Sequence, residues 1–261
     1  MLRATIILCH FHFWRLCFSK RLFACLAVSA LPVAAAFLIK TISPYVGPPP
    51  AIELAWFLIV QFVVPVLALI LGSAVVAEEV EDRTIVFLFT RPIPRMTILL
   101  GRWLASLVVL SVLLTACVLL TVHFLGESAA DDQEHALPAG AVVALCQVAI
   151  VGGVVYSALF AACGALVRRP IILGLGYTFA VEAFLGSLPG KNQALTIQYY
   201  LRSYLCGQND AILARIEQLT DSRSIEMVAP GDALLTMAYV LVVALVAGCW
   251  TISRRQYVLT S

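Results

Sequence analysis

The residues of this chain that could do chemistry are concentrated in one short stretch. Between positions 78 and 95, acids come first, an apolar run follows, and bases interrupted by prolines end the stretch: Glu78, Glu79, Glu81, Asp82, then Arg91, Pro92, Pro94 and Arg95. Acids at a helix start and bases near its end suit the helix dipole, and prolines end a helix. The order predicts a short exposed helix whose apolar residues need a partner. A solvated, positively charged loop is the alternative.

Outside that stretch the candidates are single residues. Glu182 is the one acid inside a predicted membrane span, where a charge is costly. It could contact a polar substrate, take part in a proton-coupled step, or be a structural acid bonded to a neighbouring helix. Apart from it, the spans offer His123 near an outer end and scattered Ser, Thr and Cys. The eight cysteines show no metal-ligand spacing, so we expect neither a metal site nor an intramembrane enzyme.

The composition predicts the fold that must position these residues. Hydrophobic residues make up 62% of the 261 and charged residues 12%, against roughly 25% charged in soluble domains. A membrane helix needs about 20 apolar residues. We predict an all-α, polytopic membrane protein with six transmembrane helices, an N-terminal interfacial helix over 1–21, a cytoplasmic helix between spans 2 and 3, and an outer loop over 189–232. The predicted spans are 22–39, 54–77, 103–125, 139–167, 171–188 and 233–252.

The basic residues predict the orientation, because short loops rich in Lys and Arg stay in the cytoplasm. An even number of spans puts both termini on one side of the membrane. With the N-terminus inside, twelve of the 17 basic residues lie in inner segments. Both termini are therefore expected in the cytoplasm. The first twenty residues mix bases with Phe and Trp and lack a small-residue cleavage site, which favours an interfacial helix over a signal peptide.

Two segments carry a resemblance to a known family. Residues 78–95, followed by Gly101-Arg102-Trp103, resemble the segment after the second span of permease subunits of ABC-2 type ATP-binding-cassette transporters. Arg83 stands where members of that family usually have Gly. Residues 177–190 and 195–199 are similar to the fifth span of a bacterial branch of these permeases.

The resemblance implies a function and partners. It implies that the whole chain, 1–261, is one permease domain that forms a substrate pathway in a bacterial cytoplasmic (inner) membrane, as an exporter. The expected partners are an ABC ATPase subunit, a second permease copy or paralogue, and membrane lipid, but no nucleic acid. The sequence has no phosphate-binding loop, so ATP and Mg²⁺ are expected on the ATPase and no cofactor on this chain. The alternative is a non-transporting membrane anchor or assembly factor that recruits a cytosolic partner through 78–95. The implied ATPase-coupling residues are Glu78, Glu79, Glu81, Asp82, Arg83, Thr84, Arg91, Pro92 and Arg95.

Overall fold

The computed structural model describes residues 2–42, 55–81, 95–127, 140–167, 169–185, 191–208 and 228–254. Nearly all of these residues are helical and none of them is in a strand, which confirms the all-α prediction. In chain order the helices are α1 (Leu2–Cys17), α2 (Lys20–Ile42), α3 (π-helical over Trp56–Val63, α-helical over Val64–Glu81), α4 (Arg95–Glu127), α5 (Ala141–Leu166), α6 (α-helical over Pro170–Gly176, π-helical over Tyr177–Leu185), α7 (Ile197–Gln208) and α8 (Pro230–Arg254).

Five of these helices are long and apolar enough to cross a membrane. They correspond to α2, α3, α4, α5 and α8. The fifth predicted span, 171–188, appears instead as α6, a shorter apolar helix that starts at Pro170. Its 16 residues reach about 24 Å at α-helical rise, short of a bilayer core. The predicted count of six full-length spans is therefore not confirmed.

Helix α5 lies at the centre of the bundle, where small residues allow close packing. A Cβ atom added at Gly72 of α3 would lie 2.6 Å from the backbone oxygen of Ser157 in α5. A Cβ added at Gly164 of α5 would lie 2.8 Å from the backbone oxygen of Ser73 in α3. Glycine is what lets the two backbones approach this closely. Gly164 therefore serves close helix packing, whereas Gly176 faces open space.

Side-chain contacts show how the helices alternate in direction. Helix α2 runs the same way as α4, since Ser29 lies beside Cys117 and Phe37 beside Phe124. Helix α8 starts beside α7, where Pro230 meets Gly207, and ends beside the first turns of α4. The start of α2, the end of α8 and the connection from α3 to α4 therefore share one end of the bundle, which we call the base. The first span therefore starts, and the last span ends, at the base.

The boundary between α3 and α4 differs from the sequence-based expectation. Helix α3 continues through Glu81, so Glu78, Glu79 and Glu81 lie in its last turns and do not start a separate helix. Helix α4 begins at Arg95, eight residues before the predicted start of span 3. Tertiary packing, which provides most helical stability, outweighs the dipole preference of the acids. The rest of the segment predicted to form the short helix, 82–94, lies outside the described residues.

Helix α1 forms where the sequence predicts an N-terminal helix. It packs against α4 and buries Leu16 and His12. The opposite side exposes Phe11, Trp14 and Phe18, the last two of which stack on each other. The helix is therefore present, while its position at a membrane interface stays a prediction.

Part of the predicted outer loop is packed into the bundle. Within the predicted outer loop 189–232, Ile197–Gln208 form helix α7, whereas 209–227 lie outside the described residues. Leu201 and Leu205 of α7 are fully buried, and Leu201 fills the space above Gly152 of α5. Helix α7 is thus a structural part of the end of the bundle opposite the base.

Candidate functional site at the two ends of the bundle

Glu182 lies in the π-helical part of α6 and is 3% exposed. Its carboxylate accepts three hydrogen bonds. The Tyr177 hydroxyl donates to Oε1 at 2.9 Å, the backbone N–H of Ile197 donates to Oε1 at 3.1 Å, and the backbone N–H of Gln198 donates to Oε2 at 3.2 Å. The buried acid is therefore fully engaged by neighbouring groups.

The two backbone donors are the first two N–H groups of α7. The first N–H groups of a helix have no partner within the helix, and a carboxylate there also suits the positive end of the helix dipole. Glu182 thus caps α7 from another helix. These bonds are the ones expected of a structural acid, the third of the alternatives considered for this residue.

Gln198 extends the joint to α3. Its Nε2 donates a 3.0 Å hydrogen bond to the backbone oxygen of Val60, which lies in the π-helical part of α3. Trp56–Val63 of α3 and Tyr177–Leu185 of α6 are both π-helical, so two segments of this rare geometry flank one joint. Glu182 and Gln198 together connect α6, α7 and α3 at the end opposite the base.

Two buried polar atoms at this joint have no hydrogen-bond partner among the described residues. The Tyr156 hydroxyl of α5 lies near Glu182 and Gln198 but makes no hydrogen bond of acceptable geometry to any described residue. The same is true of Gln198 Oε1. A buried polar group without a partner costs free energy. At this joint the Glu182 carboxylate is therefore fully hydrogen-bonded, whereas the buried Tyr156 hydroxyl has no hydrogen bond to a described residue.

The base is held by a different pair of bonds. Arg102 of α4 is 6% exposed, and its Nη1 donates a 3.0 Å hydrogen bond to the backbone oxygen of Val75 in α3. The next residue, Trp103, donates from Nε1 to Ser157 Oγ of α5 at 3.1 Å. Consecutive residues of α4 therefore bind the two helices beside it.

The structure does not bring the two groups of predicted site residues together. Glu182 is joined to α3 at Val60, whereas the base bond is at Val75, 15 residues or about 20 Å further along the same helix. Of the predicted coupling residues, Glu78, Glu79 and Glu81 end α3 and Arg95 begins α4. Asp82, Arg83, Thr84, Arg91 and Pro92 lie outside the described residues.

Sequence reasoning did not assign a role to Arg102 or to Gln198. Arg102 entered only as an inner basic residue and as part of the Gly101-Arg102-Trp103 motif, although a lone Arg at the start of a long apolar run could have signalled a buried partner. Gln198 entered only as part of the similar segment 195–199, and its bond to α3 could not be found there because the acceptor is 138 residues away in the sequence.

A bundle of long apolar helices with buried polar joints at both ends suits a transport subunit, and comparison with known proteins decides which kind. A family model described as ABC-2 family transporter protein matches residues 19–255. The chain belongs to this family. No curated protein matches the chain. The ABC-2 permease is therefore a multi-pass membrane protein and a transport subunit that is not itself catalytic.

Family membership bears mainly on the base of the ABC-2 permease. Permeases of this family work in partnership with an ABC ATPase subunit. The base carries the α3–α4 connection, the segment that resembles the family's ATPase-coupling region. Among the described residues, no group of three or more His, Cys, Asp or Glu could hold a metal ion.

Proposed function

We propose that this permease forms the substrate pathway of an ABC exporter in a bacterial cytoplasmic membrane, as a dimer with a second copy or a paralogue. A separate ATPase subunit binds ATP and Mg²⁺ and drives transport through residues 78–95. The observation that carries the proposal is the family match over residues 19–255. The path of the chain supports the proposal. The start of α2, the end of α8 and the helix ends that flank the coupling segment all lie at the base.

The distribution of charge supports a cytoplasmic base. Basic residues near it include Lys20, Arg21, Arg102, Arg169 and Arg254, while the opposite end holds fewer described bases, among them Lys40 and Arg202. Short segments rich in Lys and Arg stay in the cytoplasm. Both termini are therefore proposed to be cytoplasmic, where an ATPase has access to the base.

Exposed apolar side chains support contact with lipid and with a second permease. Helices α2, α6 and α8 expose large apolar residues along much of their length, such as Phe23, Phe37, Ile172, Tyr239 and Val246. In a bilayer such surfaces are covered by acyl chains or by another helix. Helix α1 is proposed to lie at the interface with Phe11, Trp14 and Phe18 in the lipid.

The test combines co-purification with a coupling measurement. The tagged permease is extracted from native membranes into lipid nanodiscs, and ATP-dependent release of inorganic phosphate by the co-purified material is measured. Reversing two acids of the coupling segment, Glu79→Lys with Asp82→Lys, is expected to remove the ATPase from the purified complex. The matched control is Asp232→Lys, an exposed acid at the opposite end of the bundle, which is expected to leave the complex intact.

The outcomes separate the proposal from its alternatives. If the wild-type permease retains no ATP-hydrolysing subunit in conditions that preserve other membrane complexes, the proposal is wrong. If it retains one that hydrolyses ATP but reconstituted vesicles show no ATP-dependent movement of any compound in a panel of lipophilic dyes and fluorescent lipids, a membrane anchor is favoured.

A further inference from the structure

We infer that Arg102 is a positioning residue for energy coupling. By binding the Val75 carbonyl, it holds the end of α3 and the start of α4 in one arrangement, so that a force on residues 78–95 moves both spans together. This inference rests on the proposed function, because it assumes that an ATPase acts on that segment. The bond itself is a property of the permease alone.

The location of the bond is what gives it this role. Val75 and Arg102 are 27 residues apart in sequence, and the whole segment 78–95 lies between them. Helix α3 continues for six residues beyond Val75, and α4 begins seven residues before Arg102. The hydrogen bond therefore closes a loop that contains all the proposed coupling residues. The bond therefore ties the two helices together just inside the points where the chain enters and leaves that loop.

The chemistry of the pair suits a fixed contact. Arg keeps its charge under all physiological conditions and has five donors in a planar group. The acceptor is a backbone carbonyl of α3, and a hydrogen bond with a charged donor is roughly twice as strong as one between neutral groups. A buried guanidinium that loses its acceptor is strongly unfavourable. Opening the α3–α4 contact would take the Val75 carbonyl away from the buried guanidinium, so the contact resists separation.

Neighbouring contacts keep Arg102 directed toward α3. Trp103 is bonded to Ser157 of α5, which fixes the rotation of α4 about its axis. Val76 of α3 and Leu99 of α4 are buried in the same apolar cluster at the base. Helices α3, α4 and α5 thus form one rigid group around the guanidinium, with little freedom to absorb a movement of the segment.

The competing explanations are that Arg102 serves only as a positive charge for orientation or only as a general stabilising contact. Arg102→Gln removes the charge, and Arg102→Lys keeps the charge but not the planar donor group. The matched control is Arg169→Gln, which removes an exposed base at the same end of the bundle. Protection of peptides from the centre of α5 reports whether each variant is folded.

The first measurement uses the permease alone, in nanodiscs, by hydrogen exchange. In Arg102→Gln, amides in both the last turns of α3 and the first turns of α4 are expected to exchange about tenfold faster or more, as expected for the loss of one charge-assisted hydrogen bond. Arg102→Lys should be intermediate and Arg169→Gln unchanged. Unchanged exchange at these helix ends in Arg102→Gln would overturn the positioning role whether or not an ATPase is present.

The second measurement uses the complex with its ATPase. Arg102→Gln should retain the ATPase as wild type does, because the docking residues are intact, yet ATP with vanadate should no longer alter exchange in α3 and α4. If ATP with vanadate changes hydrogen exchange in α3 and α4 equally in Arg102→Gln and wild type, the coupling role is overturned. If Arg169→Gln loses this nucleotide-dependent change as fully as Arg102→Gln does, the effect is one of charge and the coupling role is also overturned. If wild type retains no ATPase, the proposed function and the coupling role both fail, and the exchange of the permease alone still decides the positioning role.

Discussion

Glu182 Oε2 accepts the backbone N–H of Gln198 at 3.2 Å, so that a side chain of α6 closes the N-terminus of α7. The same Gln198 binds α3 through its side chain. One residue pair therefore fixes three helices at the end of the bundle opposite the base, and the buried acid is part of that joint.

Removal of the Glu182 carboxylate is expected to destabilise the permease. Glu182→Ala leaves two N–H groups of α7 and the Tyr177 hydroxyl without an acceptor, at a cost of about 2 kcal/mol or more. The apparent melting temperature in detergent should fall by roughly 4–8 °C, and Glu182→Gln, which keeps one acceptor oxygen, should lose less. Gln147→Ala, at an exposed amide of α5, is the control and should change the melting temperature little. An unchanged melting temperature in Glu182→Ala would contradict the capping role.

Two tyrosines beside Glu182 are expected to respond in opposite ways when the hydroxyl is removed. Tyr177→Phe removes a donor to Glu182 and should cost about 1 kcal/mol. Tyr156→Phe removes a buried hydroxyl without a partner in the described structure and should be neutral or stabilising. Apparent melting temperatures of the two variants, purified in the same detergent, compare them directly. A larger loss in Tyr156→Phe than in Tyr177→Phe would show that its hydroxyl is bonded after all.

Close helix packing predicts a sharp difference between glycines. Gly72→Ala places a methyl group 2.6 Å from a backbone oxygen of α5, and forcing the helices apart should cost about 1–3 kcal/mol. Gly176→Ala faces open space and should be tolerated, with a gain of up to about 1 kcal/mol from helix propensity. Expression level and monodispersity after extraction are the first measurements, followed by thermal unfolding. Similar behaviour of the two variants would argue against the tight contact of α3 with α5.

The exposed aromatic face of α1 is expected to enter the lipid interface. In vesicles that contain phospholipids brominated near the headgroup, Trp14 fluorescence should be quenched more than with bromine deep in the acyl chain. The Trp14 signal is obtained as the difference between wild type and Trp14→Phe. Equal signals with and without brominated lipid would place this helix in water.

The fold could be predicted to a large extent because the bilayer leaves few choices. Long apolar runs can satisfy their backbone only as helices, and α2, α5 and α8 cover the predicted spans 22–39, 139–167 and 233–252 to within about three residues, whereas α4 starts eight residues early. Helix α6 starts at Pro170, within one residue of the predicted span. Helix α3 runs on through Glu78, Glu79 and Glu81, where the dipole preference of the acids, about 0.3–1 kcal/mol per charge, favours a helix start, because tertiary packing provides most helical stability.

The candidate site could be predicted only where it is local in sequence. The sequence by itself determined that the protein is a membrane helical bundle with an acid-to-base segment after its second span, and the motifs around that segment indicated the ABC-2 family. Tertiary structure alone decided that Glu182 caps α7, that Gln198 reaches Val60, and that Arg102 closes the loop at Val75. The physical reason is that each of these bonds joins a side chain to a backbone group on another helix. Any polar side chain could make such a bond until packing fixes which carbonyl or N–H lies within hydrogen-bonding distance.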